Sequence, residues 1–142
     1  MQAVLFDSSI YISALRSGNV DILSVLQKTF DEVLWLSAVV LEELYAGARA
    51  SELEKIEEME RDFERIDGIL VPSRQDWAQT GKVLHWLGAR YGYENIGRGR
   101  LTNDALIATS ASRFGIRVIT ANGRDFSRLA QFCSLSWQLV AL

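Results

Sequence analysis

Four acidic residues in this 142-residue chain stand where apolar, strand-like runs hand over to helix-like ones: Asp7, Glu43, Asp104 and Asp125. Their contexts are Val4-Leu5-Phe6-Asp7-Ser8-Ser9, Leu41-Glu42-Glu43-Leu44, Asn103-Asp104-Ala105-Leu106-Ile107-Ala108 and Thr120-Ala121-Asn122-Gly123-Arg124-Asp125-Phe126. Carboxylates brought to one edge of a parallel sheet form a hard, oxygen-rich pocket, which suits Mg²⁺ or Mn²⁺. A divalent ion held there is a tool for phosphodiester hydrolysis. Each acid also has a plain structural reading. Asp7 suits a helix cap, Glu43 a surface carboxylate like its neighbour Glu42, Asp104 the favourable end of a helix dipole, and Asp125 a turn. Two contexts favour function. Asp104 precedes the close-packing run Ala105-Leu106-Ile107-Ala108, and Asp7 lies between Phe6 and Ile10. Converging carboxylates repel unless a proton or cation intervenes, so a metal is expected to stabilise the fold as well.

The elements that must position these acids alternate. Strands are expected at Ala3 to Phe6, Val33 to Leu36, Ile69 to Val71 and Arg117 to Thr120, with a last one within Leu135 to Leu142. Ser8 or Ser9 is expected to cap the first helix, which Gly18-Asn19 breaks. Ile22 to Phe30 fits a second helix. Ser37 caps the helix that carries Glu43 and ends near Gly47. Ser51 to Glu54 reads as a capping box opening a helix over 51–66, with an apolar stripe of Leu53, Ile56, Met59, Phe63 and Ile66. Ser73 to Asp76 repeats the pattern before a helix with Trp77, Leu84, Leu87 and Tyr91 on one side. Gly81 within it suggests close packing, and Trp86 is read either as core or as a partner-facing residue. Residues 92–100 read as a surface loop. A helix runs from Leu101 to Phe114, and Asp125-Phe126 reads as a turn. Alternating strands and helices give an α/β fold, a mostly parallel sheet with helices on both faces. Ligands of such sheets bind beyond the carboxyl ends of the strands. That edge gathers acids spaced 36, 61 and 21 residues apart. The length fits one domain, residues 1–142.

Hydrophobic residues make up 49% of the chain, enough for a core. No apolar run approaches the roughly 20 residues of a membrane span, and no basic leader precedes the first strand, so neither membrane insertion nor secretion is expected. Cys133 is the one cysteine and His85 the one histidine. An internal disulfide, a cysteine-based zinc site and a histidine relay are thereby excluded, and a reducing, cytoplasmic setting is favoured. The net charge of −3 hides a split: −8 over residues 1–81 and +5 over 82–142. Seven of the eight basic residues in the second part are arginine, which suits bidentate phosphate contact. Either a solvated surface or a face that attracts polyanions accounts for this.

Taken together, the Asp7-Ser8-Ser9 start, the Glu43-Leu44 pair followed by Gly47, the Asn103-Asp104-Ala105-Leu106-Ile107-Ala108 helix and the Thr120-x-Asn122-x-x-Asp125-Phe126 ending resemble the PIN domain. Size and motif order resemble the single-domain toxins of VapBC-type toxin–antitoxin systems. The resemblance runs from Val4 to about Val140. It implies a three-layer α/β/α fold with a five-stranded parallel sheet, and a Mg²⁺- or Mn²⁺-dependent endoribonuclease. It also implies a homodimer and a small antitoxin protein whose tail covers the acidic pocket. Asp7, Glu43 and Asp104 take the positions of the acidic triad. The fourth position falls to Asn122 or Asp125, and Ser9 and Thr120 become hydrogen-bonding supports. On this reading Asp7 and Asp104 hold the principal metal, and Glu43 and Asp125 complete the site. Arg98, Arg100 and Arg124 grip flanking phosphates. Tyr91 or Tyr93 stacks on an unpaired base, with core packing an equal reading for Tyr91.

Two rivals remain at this level. A receiver-type phosphotransfer module needs a second acid two residues after the first, where this chain has Ser9, or a lysine late in the chain, where none occurs beyond Lys82. A non-catalytic module that binds RNA or protein would not need all four acids.

Overall fold

The computed structural model describes residues 2–18, 33–93 and 100–141, the side chain of Arg100 excepted. Its five strands are β1 (Ala3–Phe6), β2 (Val33–Ser37), β3 (Ile69–Leu70), β4 (Arg117–Thr120) and β5 (Trp137–Leu139). They form one sheet in the order β3-β2-β1-β4-β5, every pair parallel. The register sets Leu5 between Trp35 and Val118. Val4, Leu5 and Phe6 of the central strand are wholly buried. An unbroken apolar run is what a strand covered on both faces requires. Connections leave β1 towards β2 on one side and reach β4 on the other, so the order reverses between β1 and β4. That reversal is the switch point where such sheets take ligands.

The described helices are α1 (Ser8–Ser17), α2 (Ala38–Ala46), α3 (Leu53–Arg65), α4 (Arg74–Tyr91), α5 (Arg100–Arg113) and α6 (Gly123–Leu129). α2 packs on α1 and α3, while α5 packs on α4 and α6. α2 also meets α5, joining the two sets near the carboxyl edge of the sheet. No described helix is long and apolar enough to cross a membrane.

Local chemistry explains most boundaries. Ser37 caps α2, its hydroxyl accepting from Val39 N at 3.2 Å. Ser73 and Asp76 form the reciprocal box that opens α4: Ser73 N donates to Asp76 Oδ2 at 2.9 Å, and Asp76 N to Ser73 Oγ at 3.2 Å. Gly18 ends α1 in the left-handed region at φ 72°, which glycine reaches without a Cβ clash.

Elsewhere the structure corrects the sequence reading. Asp7, not Ser8 or Ser9, is the cap of α1, because its carboxylate accepts from Ser9 N from the residue just before the helix. The Ser51–Glu54 box is absent. A 3₁₀ turn, Ala50–Glu52, leads into α3, and Glu52 takes the accepting role by receiving Arg49 N at 2.8 Å. In the α3 stripe Ile56 is buried, but Leu53 and Ile66 are exposed. Trp77 is also exposed. Gly81 faces open space rather than a neighbouring helix. The Asp125-Phe126 turn is part of the short helix α6, which buries Phe126 and Leu129. The helix expected over Ile22 to Phe30, and most of the 92–100 loop, lie outside the described residues.

Candidate active site

Asp7 sits directly past β1 and is 4% exposed. Its own N–H donates to Ile119 O of β4 at 3.0 Å, which fixes the residue across the strand pair. One carboxylate oxygen, Oδ1, accepts from Ser9 N at 3.2 Å and from the Ser9 hydroxyl. The other, Oδ2, accepts from Thr120 Oγ1 at 2.7 Å. Thr120 ends β4, is wholly buried, and accepts from Asn122 N at 2.9 Å. Ser9 Oγ in turn accepts from Ala121 N at 3.2 Å. Two hydroxyls thus tie the ends of β1 and β4 together around one carboxylate. Burial pushes the Asp7 carboxyl above its ordinary value, and the bonds from Ser9 and Thr120 offset only part of that.

Glu43 lies half-buried on α2. Its Oε1 is shielded from solvent and has no hydrogen-bond partner, which is costly for a carboxylate oxygen. Burial raises its pKa, Asn103 pulls it down, and the negative charges of Asp7 and Glu42 raise it further. Glu43 therefore stands within electrostatic reach of Asp7 although 36 residues separate them. Ser8 is the remaining hydrogen-bonding influence on it. Asn103 lies between the two glutamates, its amide 3.5 Å from Glu42. The next residue, Asp104, is 5% exposed near the start of α5. Asp125, in the first turn of α6, is half-buried and accepts from Asn122 Nδ2 at 3.1 Å.

Asp7 and Glu43 thus act on one another electrostatically, Asp104 follows the Asn103 that meets both glutamates, and Asp125 is tied to Asn122 just past β4. Among the described residues, however, no three His, Cys, Asp or Glu side chains close into a group ready to hold a metal ion. Repulsion between Asp7 and Glu43 opposes their closer approach. The donor set still fits a hard divalent cation: it is all carboxylate, two members are nearly buried, and Glu43 Oε1 has no donor of its own.

The expected phosphate contacts fare unevenly. Arg98 and the side chain of Arg100 lie outside the described residues. Arg124 is exposed on α6. Arg113 is not available to a polyanion, because it forms a two-pronged pair with Asp76, both bonds at 2.8 Å. Tyr91 has one face covered by Arg128, whose Cζ lies 4.4 Å from the ring centroid. Tyr93 is exposed and tilted against His85. Sequence reasoning missed Ser8 and Asn103 as neighbours of Glu43. Asn103 had a usable signal, a polar residue next to Asp104 at the start of an apolar helix; Ser8 had none beyond its adjacency to Asp7.

The fold is that of an α/β protein with a buried carboxylate, Asp7, at the switch point of a parallel sheet. Residues 4–131 match the PIN domain model, and the chain belongs to that family. No curated protein matches it in sequence. Solved structures with a similar fold include DNA-bound VapBC from Salmonella typhimurium, 22% identical with a TM-score of 0.66, covering 97% of this chain and 98% of that one. VapBC-1 from nontypeable Haemophilus influenzae is 22% identical, with a TM-score of 0.67 and the same coverage. VapBC2 from Rickettsia felis, bound to a DNA fragment from its promoter, is 18% identical, with a TM-score of 0.63, covering 99% of this chain and all of that one.

Proposed function

We propose that this chain is, as one PIN domain throughout, a Mg²⁺- or Mn²⁺-dependent endoribonuclease, the cytoplasmic toxin of a VapBC-type pair. The observation that carries the reading is the buried Asp7 carboxylate, held by Thr120 and Ser9 at the switch point with Glu43 within reach of its charge. Asp7, Glu43 and Asp104 would hold the metal, with Asp125 or Asn122 in the fourth place. When bound, such an ion activates water and polarises the scissile phosphodiester. The residues of the chain do the rest. Thr120 and Ser9 hold the Asp7 carboxylate in one orientation, as supporting bonds do for a metal-ligating carboxylate. Asn103 positions Glu43. Arg124 stands at the rim as a phosphate contact. Family membership supports the nuclease reading, the likeness to VapBC structures supports an antitoxin partner, and a homodimer is part of the same proposal.

Purified protein should cleave single-stranded RNA with Mn²⁺ or Mg²⁺ present, and leave 5′-phosphate and 3′-hydroxyl ends. Chelator or Asp104→Asn should stop it. Cleavage that persists in chelator, or equally in the variant, would remove the hydrolase assignment. Expression without the antitoxin should arrest growth, and Asp104→Asn should relieve the arrest.

A further inference from the structure

We infer that Arg128, whose guanidinium lies over the Tyr91 ring, is a second phosphate-binding residue for the RNA strand, and that Arg124 and Arg128 form a track leading away from the acidic edge. This rests on RNA being the polymer that the proposed function assigns to the acidic edge, whether or not it is cut there. Arg128 was part of the basic stretch read from sequence, but nothing there set it apart. In the fold it is distinct. Its guanidinium Cζ is 4.4 Å from the Tyr91 centroid. Tyr91 is itself held: its hydroxyl and the Gln131 side-chain amide exchange bonds at 3.1 and 2.8 Å. A guanidinium held over a ring spends no N–H on a carboxylate there and has already lost part of its rotamer freedom. Such a fork, all donor and no acceptor, takes a phosphate oxygen pair. The ion pairs among the described residues use Arg16, Arg65 and Arg113, so neither Arg124 nor Arg128 is neutralised by a carboxylate there.

Position follows from two helix contacts. Asp76 at the start of α4 pairs with Arg113 at the end of α5, and Thr80 meets Thr109 at 2.8 Å. The two helices are thus antiparallel, and Tyr91 at the end of α4 lies at the same end as Asp104 near the start of α5. α6 begins beside Thr120 and Asp7 and carries Arg124 and Arg128 four residues apart, on one face, separated by about 6 Å along its axis. The base-stacking role expected of Tyr91 is replaced on this face: the ring is a platform for an arginine.

The test is binding of a short, mixed-sequence single-stranded RNA by fluorescence anisotropy in EDTA, over a range of salt concentrations. Arg128→Ala should weaken binding and lower the slope of log K against log salt by about 0.7, the value for one single-strand phosphate contact. Arg128→Lys should keep the slope and lose affinity. Tyr91→Leu should lose affinity, and Tyr91→Phe should keep it. Arg61→Ala, on exposed α3, is the control and should match wild type. An unchanged slope in Arg128→Ala, an equal loss in Arg61→Ala, or no RNA binding by wild type overturns the inference. Cleavage with Mn²⁺ is scored separately. RNA bound but never cut removes the hydrolase reading and leaves this one standing; RNA cut with an unaltered Arg128→Ala slope does the reverse.

Discussion

Asp7 and Asp76 are both aspartates at helix starts and both nearly buried, at 4% and 2% exposure, yet their surroundings answer burial in opposite ways. Burial pushes each carboxyl up. At Asp76 the bonds and charge of Arg113, with the Ser73 backbone, outweigh that and hold the acid below its ordinary value. At Asp7 only neutral donors are present, and the acid stays above its ordinary value. Asp76 is a closed pair that pins α4 to α5. Asp7 is solvated by hydroxyls and backbone N–H groups, and no cationic side chain among the described residues is shown to offset its charge. The fold neutralises one buried aspartate with arginine, whereas the other lies within electrostatic reach of Glu43; under the proposed function the second is kept for a cation.

Replacing each by asparagine tests this contrast most severely. Asp7→Asn should cut RNA cleavage by at least about 10³-fold, roughly 4 kcal/mol of transition-state stabilisation. In chelator its unfolding midpoint should equal or exceed that of wild type, since an uncompensated buried charge is gone. Asp76→Asn should do the converse. It should lose about 2–3 kcal/mol in urea unfolding, the low end for a broken buried pair because Arg113 is partly solvated, while cleavage per folded molecule stays unchanged. A stable, inactive Asp76→Asn protein, or an unstable Asp7→Asn one, would break the distinction.

Thr120→Val should cost 10–100-fold in cleavage, the range for losing a bond that orients a metal ligand. It removes the only side-chain donor to Asp7 Oδ2 that the structure shows and adds no charge. A wild-type rate would mean that Thr120 serves the strand junction alone.

How much of this could be read from the chain depends on how local the cause is. β1 is a continuous apolar run and β4 carries an apolar Val118-Ile119 centre, and the limits of both coincide with the expected ones. The Ser73–Asp76 box is a four-residue signal and stands as expected. The helix α6 was read as a turn because it is seven residues long, opens on Gly123, and buries only Phe126 and Leu129, too few for a helical period. Gly81 misled because a glycine within a helix signals close packing only when something approaches it, and nothing does. At the site, the place of Asp7 was legible from its position after a strand. The influence of Asn103 on Glu43 was not, because it arises where α2 meets α5, 60 residues away in sequence. The Arg113–Asp76 pair likewise depends on how two helices dock, so composition alone counted Arg113 with the phosphate-binding arginines.

Acidity separates the two aspartates by sign. An acid held below its ordinary value contributes stability that is present above that value, 3.8 for Asp76, and is lost as pH falls beneath it. An acid held above its ordinary value acts oppositely. Its penalty is absent when protonated and grows as pH rises from 3.8 for Asp7, or 4.5 for Glu43, through the raised folded value. In chelator, the wild-type urea midpoint should therefore decline from about pH 4 towards neutrality. Asp7→Asn should flatten that decline, and Asp76→Asn should flatten the loss on the acid side. If both variants keep the wild-type profile, neither carboxyl is perturbed as argued.

The smallest effect concerns Gly81, five residues after Asp76 on the same helix. A Cβ added there meets nothing within 4 Å, and the residue lies inside α4, where alanine is favoured over glycine by up to about 1 kcal/mol. Gly81→Ala should therefore raise the urea midpoint. In the Asp76→Asn background it should return part of the lost stability, leaving the cleavage rate and the pH profile around Asp7 untouched. If stability at α4 and activity at the end of β1 are separable, the rescue will be additive, because the sites share no partner. A gain or loss of cleavage on adding this one methyl would show that the docking of α4 on α5 reaches the acidic edge, and that the two aspartates are not independent after all.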